Sequence, residues 1–369
     1  MRRLLLVLLL PIAACDAGGP CDDGCTAGDE VVAGVNLTQL FDAPVTAAER
    51  DAVAAAWAAR DAAASAPALR PVLEEVTRTV GPDGAEIVVL AAFARGATGA
   101  RDTLFVAATR LPLRAPGDVR RRPLVVVLPE GPSDAGTLPT QAALTDSRAD
   151  EVVMATVAPR GATLSAGERT FGTGVAPGEP YLTDTDDART LLAALPDLEL
   201  LADATRLGVV GHGRGGTAAL ALAARRVPSL GLAVALGAPT SFVTAGVRDD
   251  ARAFLTSGAP RSTIPALTAL LAATVGAVQS GTATLDEARA DLLVRSPGAF
   301  VRPPPLLVVA HGDLDTVVPV SQLGGLTEIA GEPDAVVLRL PEATHETVQT
   351  HPEVVSLVTA RARVAFGWP

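Results

Sequence analysis

The 369-residue sequence contains no lysine and only one tyrosine, and aromatic residues make up 3% of the chain. The basic residues are all arginines, and acidic residues outnumber them by 41 to 30, so the formal net charge is −11 at pH 7. Nucleic-acid binding depends on basic surface and, for single strands, on aromatic side chains that stack on bases. We therefore expect no nucleic-acid partner. A hydrophobic content of 49% indicates a globular domain, because disordered chains are much more polar.

Long apolar runs are also missing, and the N-terminal one is short. Arg2 and Arg3 precede the apolar run Leu4–Leu10, which cannot span a bilayer as a helix. Small and apolar residues follow in Ile12–Cys15, which ends in cysteine. The whole pattern resembles a bacterial lipoprotein signal with its lipobox. This resemblance implies export, lipidation of Cys15 and anchoring to the periplasmic or cell-surface side of a bacterial membrane. The alternative is an ordinary secretory signal that is cleaved nearby.

Two further cysteines, Cys21 and Cys25, complete the set of three. They stand in a stretch rich in glycine and aspartate, and in an oxidising compartment a small disulfide loop is the simplest interpretation. Two cysteines with no second pair and no nearby histidines are weak evidence for a metal site. We expect no metal and no cofactor. The predicted organisation is a signal peptide over residues 1–15, a tether over 16–40 and one domain over 41–369.

The domain follows two strand patterns in succession. Leu73–Val80 and Ala85–Phe93 flank a Gly-Pro-Asp-Gly turn, which predicts an antiparallel hairpin at one edge of a sheet. From Pro123 onwards, short continuous apolar runs alternate with helical segments, a pattern typical of parallel sheets with helices on both faces. The strand pattern stops at about 247–300, where we expect a helical cap insertion. The sequence therefore predicts an α/β fold with a mostly parallel central sheet, an antiparallel edge and a helical cap.

A glycine-rich turn after the apolar run Leu207–Val210 fits two motifs. As G-x-G-x-x-G, over Gly211, Gly213 and Gly216, it resembles a dinucleotide-binding turn. Such a site also needs an acidic residue at the end of the next strand, and residues 237–240 contain none. As G-x-S-x-G, the turn is a nucleophile elbow in which Gly213 stands at the serine position.

Motifs further along the chain support the elbow. His311–Pro319 matches H-G-x-x-D-x-x-V-P at every specified position, and His345 follows the last predicted strand. With these motifs the chain resembles the α/β-hydrolase superfamily, in particular the prolyl-oligopeptidase-type peptidases and the dienelactone-hydrolase-like esterases. The resemblance covers residues from about 73 to the C-terminus. It implies that Asp315 is the acid and His345 the histidine of a catalytic triad, in the chain order that this fold requires.

Gly213 removes the nucleophile, because glycine has no side chain that can attack a carbonyl. Glycine also tolerates the backbone of the elbow, which costs other residues about 1–3 kcal/mol. A second departure lies in the loop that carries H-G-G-P in the prolyl-oligopeptidase type and reads Pro129-Glu130-Gly131-Pro132 here. This loop, with Glu130 and Gly131, and the backbone N–H of Arg214 would line the oxyanion hole. An inward Glu130 carboxylate would oppose negative charge there, and an outward one would not.

The remaining polar residues of these motifs receive structural roles. We expect packing for His212, hydrogen bonds within the acid loop for His311 and a turn position for Asp313. Hydroxyl residues near strand ends are weaker candidates for a substitute nucleophile: Ser133, Thr217 and Ser241.

Two functional hypotheses follow from these residues. The main one is a degenerate serine hydrolase, inactive or very weak, that binds a small ester or peptide ligand under its cap. The alternative is an active ester or peptide hydrolase that uses water activated by His345, or another nucleophile.

Overall fold

Short, mostly buried strands form the centre of the protein. The computed structural model describes residues 28–65, 71–81, 83–94, 103–113, 118–144, 146–173, 178–199, 201–262, 264–302, 305–326, 329 and 331–368. The strands are, in chain order, β1 (Val31–Val32), β2 (Val35–Asn36), β3 (Val72–Val80), β4 (Glu86–Phe93), β5 (Thr103–Arg110), β6 (Arg122–Leu128), β7 (Ser133–Asp134), β8 (Val153–Val157), β9 (Thr163–Ala166), β10 (Arg169–Gly172), β11 (Ala202–His212), β12 (Leu230–Leu236), β13 (Leu306–Gly312) and β14 (Ala335–Leu340).

Within the described residues, nine of these strands form the central sheet, in the order β14-β13-β12-β11-β6-β8-β5-β4-β3. Neighbouring strands in the series β14, β13, β12, β11, β6 and β8 pair in parallel. In contrast, β3, β4 and β5 pair as antiparallel neighbours. Successive residues of β6 pack on opposite faces of the sheet: Val126 lies in one hydrophobic cluster and Val127 in another. The sheet is therefore covered on both faces, which explains why its strands are continuous apolar runs. The predicted fold class is confirmed.

The helices cover the sheet and form the cap. They are α1 (Leu37–Phe41), α2 (Ala47–Ser65), α3 (Leu138–Gln141), α4 (Leu182–Leu198), α5 (Arg214–Ala224), α6 (Ala245–Ser257), α7 (Pro265–Gln279), α8 (Leu285–Val294) and α9 (Pro352–Phe366). Thr46 and Glu49 start α2 with a reciprocal capping box, in which each backbone N–H donates to the other side chain at 2.7 and 3.2 Å. The cap helices α6, α7 and α8 lie between β12 and β13 in the chain.

The last part of the segment predicted as a tether, up to residue 40, contains buried residues. Leu37 and Leu40 of α1 are fully buried in the cluster that holds Leu271 of α7 and Leu292 of α8. Asn36 caps α1, since its side chain accepts a hydrogen bond from a backbone N–H at 3.0 Å. Residues 31–41 thus pack against the cap, because their few apolar side chains complete its core.

The N-terminal predictions fall outside the described residues. These are the signal peptide, the lipidated Cys15 and the disulfide of Cys21 with Cys25. Among the helices of the described residues, none is both long and apolar enough to cross a membrane.

Candidate active site

The glycine-rich turn joins β11 to α5 in a sharp reversal. His212 ends β11 and Arg214 begins α5, and Gly213 between them has φ +53° and ψ −120°. This left-handed φ is unfavourable for a residue with a side chain, so glycine adopts the turn at the least cost. The helix also approaches the sheet closely, since a β-carbon on Gly215 would lie 1.9 Å from the carbonyl oxygen of Leu128. The apex of the turn therefore carries no side chain.

Asp315 and His345 meet in the loops that follow β13 and β14. Nδ1 of His345 lies 2.8 Å from Oδ2 of Asp315, and both residues are buried. Oδ1 of Asp315 accepts hydrogen bonds from the backbone N–H groups of Val317 and Val318, at 2.9 and 2.7 Å. The carboxylate is therefore fixed by three donors and keeps a proton on Nδ1 of His345. An acid orients the imidazole of a catalytic triad in this way.

The side chain of Glu130 turns into the site. Its Oε2 lies 2.8 Å from Nε2 of His345, and its side chain is 34% exposed. A β-carbon on Gly213 would lie only 2.6 Å from Cδ of Glu130. The carboxylate thus occupies space that a side chain at residue 213 would need, and it contacts the nitrogen that would face a serine in a working triad.

The other motif residues make local contacts. Nε2 of His212 lies 2.7 Å from the carbonyl oxygen of His345, and the two rings have centroids 4.4 Å apart. Nε2 of His311 lies 2.6 Å from the carbonyl oxygen of Val318, so it ties β13 to the acid loop. Asp313 lies in the turn after β13. His212 therefore contacts the loop after β14, and His311 the loop after β13.

Solved structures with the same architecture include known hydrolases. An acetyl xylan esterase from Thermoanaerobacterium aligns with a TM-score of 0.53 and 15% identity, over 89% of this chain and 97% of the esterase. The protein has the α/β-hydrolase fold. A puromycin hydrolase and a puromycin-hydrolysing peptidase from Mycobacterium tuberculosis both align at a TM-score of 0.50, with 19% and 17% identity, over 82% of this chain. The chain spans 40% of the length of each of these two proteins.

No protein-family model and no curated protein sequence matches the chain. The identities to the solved structures are low, so the likeness concerns the fold. The chemistry of this α/β-hydrolase-fold protein must therefore be argued from its own site.

Charges around the site shift three pKa values. Burial alone would lower the pKa of His345, but hydrogen bonds to Asp315 and Glu130 and the charges of both carboxylates raise it to about 9. Burial would raise the pKa of Asp315, yet the hydrogen bonds from His345 and a backbone N–H hold it below its usual value. Burial and repulsion from His345 lower the pKa of His212. At neutral pH His345 is therefore a cation between two carboxylates, beside a neutral His212.

The groups predicted to line an oxyanion hole lie in the loop after β6 and at the start of α5. Arg214 opens α5, where backbone N–H groups form the positive end of the helix dipole. Its guanidinium turns to Asp184, with Nη2 2.8 Å from Oδ1. Gly131 lines, with Glu130 and His212, an open cleft of about 330 Å³. The carboxylate of Glu130 thus faces His345, and the roles of Glu130, Gly131 and Arg214 in an oxyanion hole stay predictions.

The candidate substitute nucleophiles are engaged elsewhere. Ser133 lies 3.3 Å from a threonine hydroxyl, and Thr217 donates to a backbone carbonyl at 2.6 Å. Ser241 accepts from a backbone N–H at 3.3 Å. In the described part of the chain, His345 makes its side-chain hydrogen bonds to the two carboxylates and to none of these hydroxyls.

Two residues beside the site carried no recognised motif. Gly237 follows β12 with φ +53°, and a β-carbon there would lie 3.2 Å from both Oδ2 of Asp315 and Nδ1 of His345. Tyr181 is 1% exposed, and its hydroxyl has no hydrogen-bond partner among the described residues. Burial raises the pKa of Tyr181; the charge of Arg214 opposes this rise, and the charges of Asp184 and Glu130 add to it. The sequence signals were a glycine directly after a strand and the only tyrosine of the chain.

Proposed function

We propose that this protein is an exported, lipid-anchored member of the α/β-hydrolase fold that has lost serine-hydrolase chemistry and acts by binding. The observation that carries the proposal is the position of Glu130. Its carboxylate lies 2.8 Å from Nε2 of His345 and fills the space beside Gly213. The Asp315–His345 pair is thereby closed by a second acid where a serine hydroxyl would stand in a triad.

This arrangement lacks both a nucleophile and a general base for acyl transfer. Gly213 has no oxygen that could form an acyl-enzyme. A general base needs a pKa near the working pH and a nitrogen within reach of the proton it accepts. The pKa of His345 is raised to about 9 and its Nε2 is bonded to Glu130, so at neutral pH it neither holds a free lone pair nor faces a substrate.

Hydrolysis by a water activated by His345 is the competing function. It requires Glu130 to leave His345 and a water molecule to enter in its place. The carboxylate of Glu130 is partly exposed, so its side chain has room to move away from His345. No observation favours this displaced position.

A binding role draws support from the cleft. The cleft beside Glu130 and His212 measures about 330 Å³, a volume within the range of small-molecule sites. We propose a small ester or a short peptide as the ligand.

A fluorophosphonate reagent tests the loss of chemistry. The native protein should stay unlabelled, because no activated hydroxyl faces His345. A protein with both Gly213→Ser and Glu130→Ala is the matched control, because it combines a new hydroxyl at the elbow with an unblocked His345. Labelling of the native protein at a pocket residue would falsify the proposal. Turnover of p-nitrophenyl acetate that disappears in His345→Ala would instead establish the competing function.

Export and anchoring have their own test. Cells expressing the full chain should incorporate labelled palmitate into the protein, and the product should partition with membranes. Cys15→Ser should abolish both, whereas Cys21→Ser should change neither. Incorporation that survives Cys15→Ser would contradict the lipoprotein assignment.

A further inference from the structure

The carboxylate and two histidines at the elbow form a cluster that hydrolytic chemistry alone does not explain. Glu130, His212 and His345 each offer one ligand atom, and these atoms all lie within 4.8 Å of one another. They come from three separate elements, the loop after β6, the end of β11 and the loop after β14. The parallel sheet brings these carboxyl ends to one edge, so the cluster is a product of the fold.

Hydrogen bonds to groups outside the ligand set hold one proton of each imidazole. Nδ1 of His345 donates to Asp315, which directs Nε2 toward Glu130. Nε2 of His212 donates to the backbone carbonyl of His345 at 2.7 Å, which leaves Nδ1 as its lone-pair nitrogen. Histidines that bind metals almost always donate their second N–H to a carboxylate or a backbone carbonyl. In this cluster, His345 donates to a carboxylate and His212 donates to a backbone carbonyl.

The geometry requires only small adjustments for a metal ion. Zinc bonds of about 2.0–2.1 Å in a tetrahedron place neighbouring ligand atoms about 3.3 Å apart. Oε2 of Glu130 and Nε2 of His345 are 2.8 Å apart, so their distance would increase slightly when the ion binds. All ligand atoms of the cluster lie within 4.8 Å of one another, so the longer distances would decrease. Glu130 has the freedom for this movement, since its side chain is 34% exposed. Gly213 presents no side chain that would obstruct the ion.

We propose that Glu130, His212 and His345 bind a divalent transition-metal ion, with Zn²⁺ as the best match. Two imidazole nitrogens and one carboxylate oxygen form a ligand set that zinc favours. The ion replaces the hydrogen bond between Glu130 and His345, and the proton on Nε2 of His345 is released to solvent when the metal binds. Its fourth position faces the cleft of about 330 Å³ that Glu130 and His212 line, so water or an anionic ligand can reach it. Asp315 acts as a positioning residue through His345.

Calorimetric titration of the tag-free full chain with ZnCl₂, after EDTA treatment and dialysis, tests the proposal. Cys15→Ser, Cys21→Ser and Cys25→Ser are included so that no thiol competes for the metal. We expect one ion per chain, verified by elemental analysis, and a Tm about 3–4 °C higher at a hundredfold excess over Kd. The absence of a binding heat and of bound zinc would overturn the proposal.

Substitutions identify the ligands. Glu130→Gln, His212→Gln and His345→Gln should each weaken zinc binding by more than about a hundredfold, and Asp315→Asn by about 10–100-fold. His351→Gln is the matched control, because this histidine lies outside the cluster. Unchanged affinity in the three ligand variants would place the ion elsewhere and refute the site.

A spectroscopic readout keeps the test valid if a variant fails to fold. Co²⁺ bound to the unaltered cluster should give the visible absorption of a four- or five-coordinate ion with nitrogen ligands. The spectrum of hexa-aqua Co²⁺ would refute the site. Zinc binding and fluorophosphonate labelling are separate measurements, so either proposal can fail without the other.

Discussion

The overlap between Glu130 and residue 213 predicts that these two positions are energetically coupled. A β-carbon on Gly213 would lie 2.6 Å from Cδ and 2.8 and 2.9 Å from the two carboxylate oxygens of Glu130. Gly213→Ser must therefore displace the carboxylate from His345. It must also place a side chain at φ +53°, which costs about 1–3 kcal/mol.

The magnitudes follow from these contacts. Glu130→Ala removes a charge-assisted hydrogen bond to His345, worth about 1 kcal/mol because solvent reaches the carboxylate. Gly213→Ser loses the same bond, adds the backbone strain and adds the crowding, so we expect it to destabilise the protein by about 2–4 kcal/mol. In the double variant the bond is lost once and the crowding is absent. The double variant should therefore be more stable than the sum of the single effects by about 1–2 kcal/mol.

Urea unfolding of the four proteins at one pH measures this cycle. A non-additivity of about 1 kcal/mol or more supports the contact, whereas additivity within about 0.5 kcal/mol would refute the inward position of Glu130. Fluorophosphonate labelling gives a second readout on the same proteins. The double variant should label more strongly than Gly213→Ser alone, because no displaced carboxylate then remains beside the new hydroxyl to compete for Nε2 of His345. Adding His345→Ala should remove that labelling.

Three further predictions concern the surroundings of the site. The pKa of His345 is raised above its unfolded value, so its stabilising effect is complete below about pH 6.5 and is lost as the pH rises through about 9. In metal-free protein, the free energy of unfolding measured in urea should therefore be about 1–3 kcal/mol lower at pH 10 than at pH 6. Glu130→Gln should lower the pKa of His345 in an NMR titration. Asp184→Asn should destabilise the protein by about 3 kcal/mol in urea, because it leaves the guanidinium of Arg214 buried without its carboxylate. Gly237→Ala should cost about 1–3 kcal/mol by thermal unfolding and shift the NMR signals of His345, since its methyl group would crowd the dyad at positive φ; an unchanged spectrum would contradict the close approach.

The sequence predicted the elements of the sheet because each strand carries its own signal. The short apolar runs that mark buried parallel strands are local, and so is the turn that marks the hairpin of β3 and β4. Bounds were less accurate where polar residues extend a strand. For β11 the apolar run Leu207–Val210 predicted four residues, whereas the strand runs over Ala202–His212 with a register shift between Asp203 and Leu207.

Contacts between distant segments escaped sequence reasoning. The apolar residues of α1 are few, and only their burial in the cap cluster shows that the segment is packed. The direction of Glu130 depends on the distance between the loops after β6 and β14, which lie 215 residues apart in the chain. The importance of Gly237 is visible only in the structure, where Asp315 and His345 lie close to its backbone. Each of these features is tertiary, and no local pattern encodes it.

The two departures from the hydrolase motif depend on each other physically. Glu130 cannot reach His345 if residue 213 has a side chain, because the carboxylate and the β-carbon would overlap. If Glu130 were absent, Gly213 would leave Nε2 of His345 facing a space that the serine oxygen would otherwise fill. Together they give every polar atom of the dyad a partner: Oδ1 of Asp315 has two backbone donors, Oδ2 has His345, and Nε2 of His345 has Glu130. With Gly213 and without Glu130 this nitrogen would lack its side-chain partner, so the satisfied geometry supports the proposal that the site serves binding.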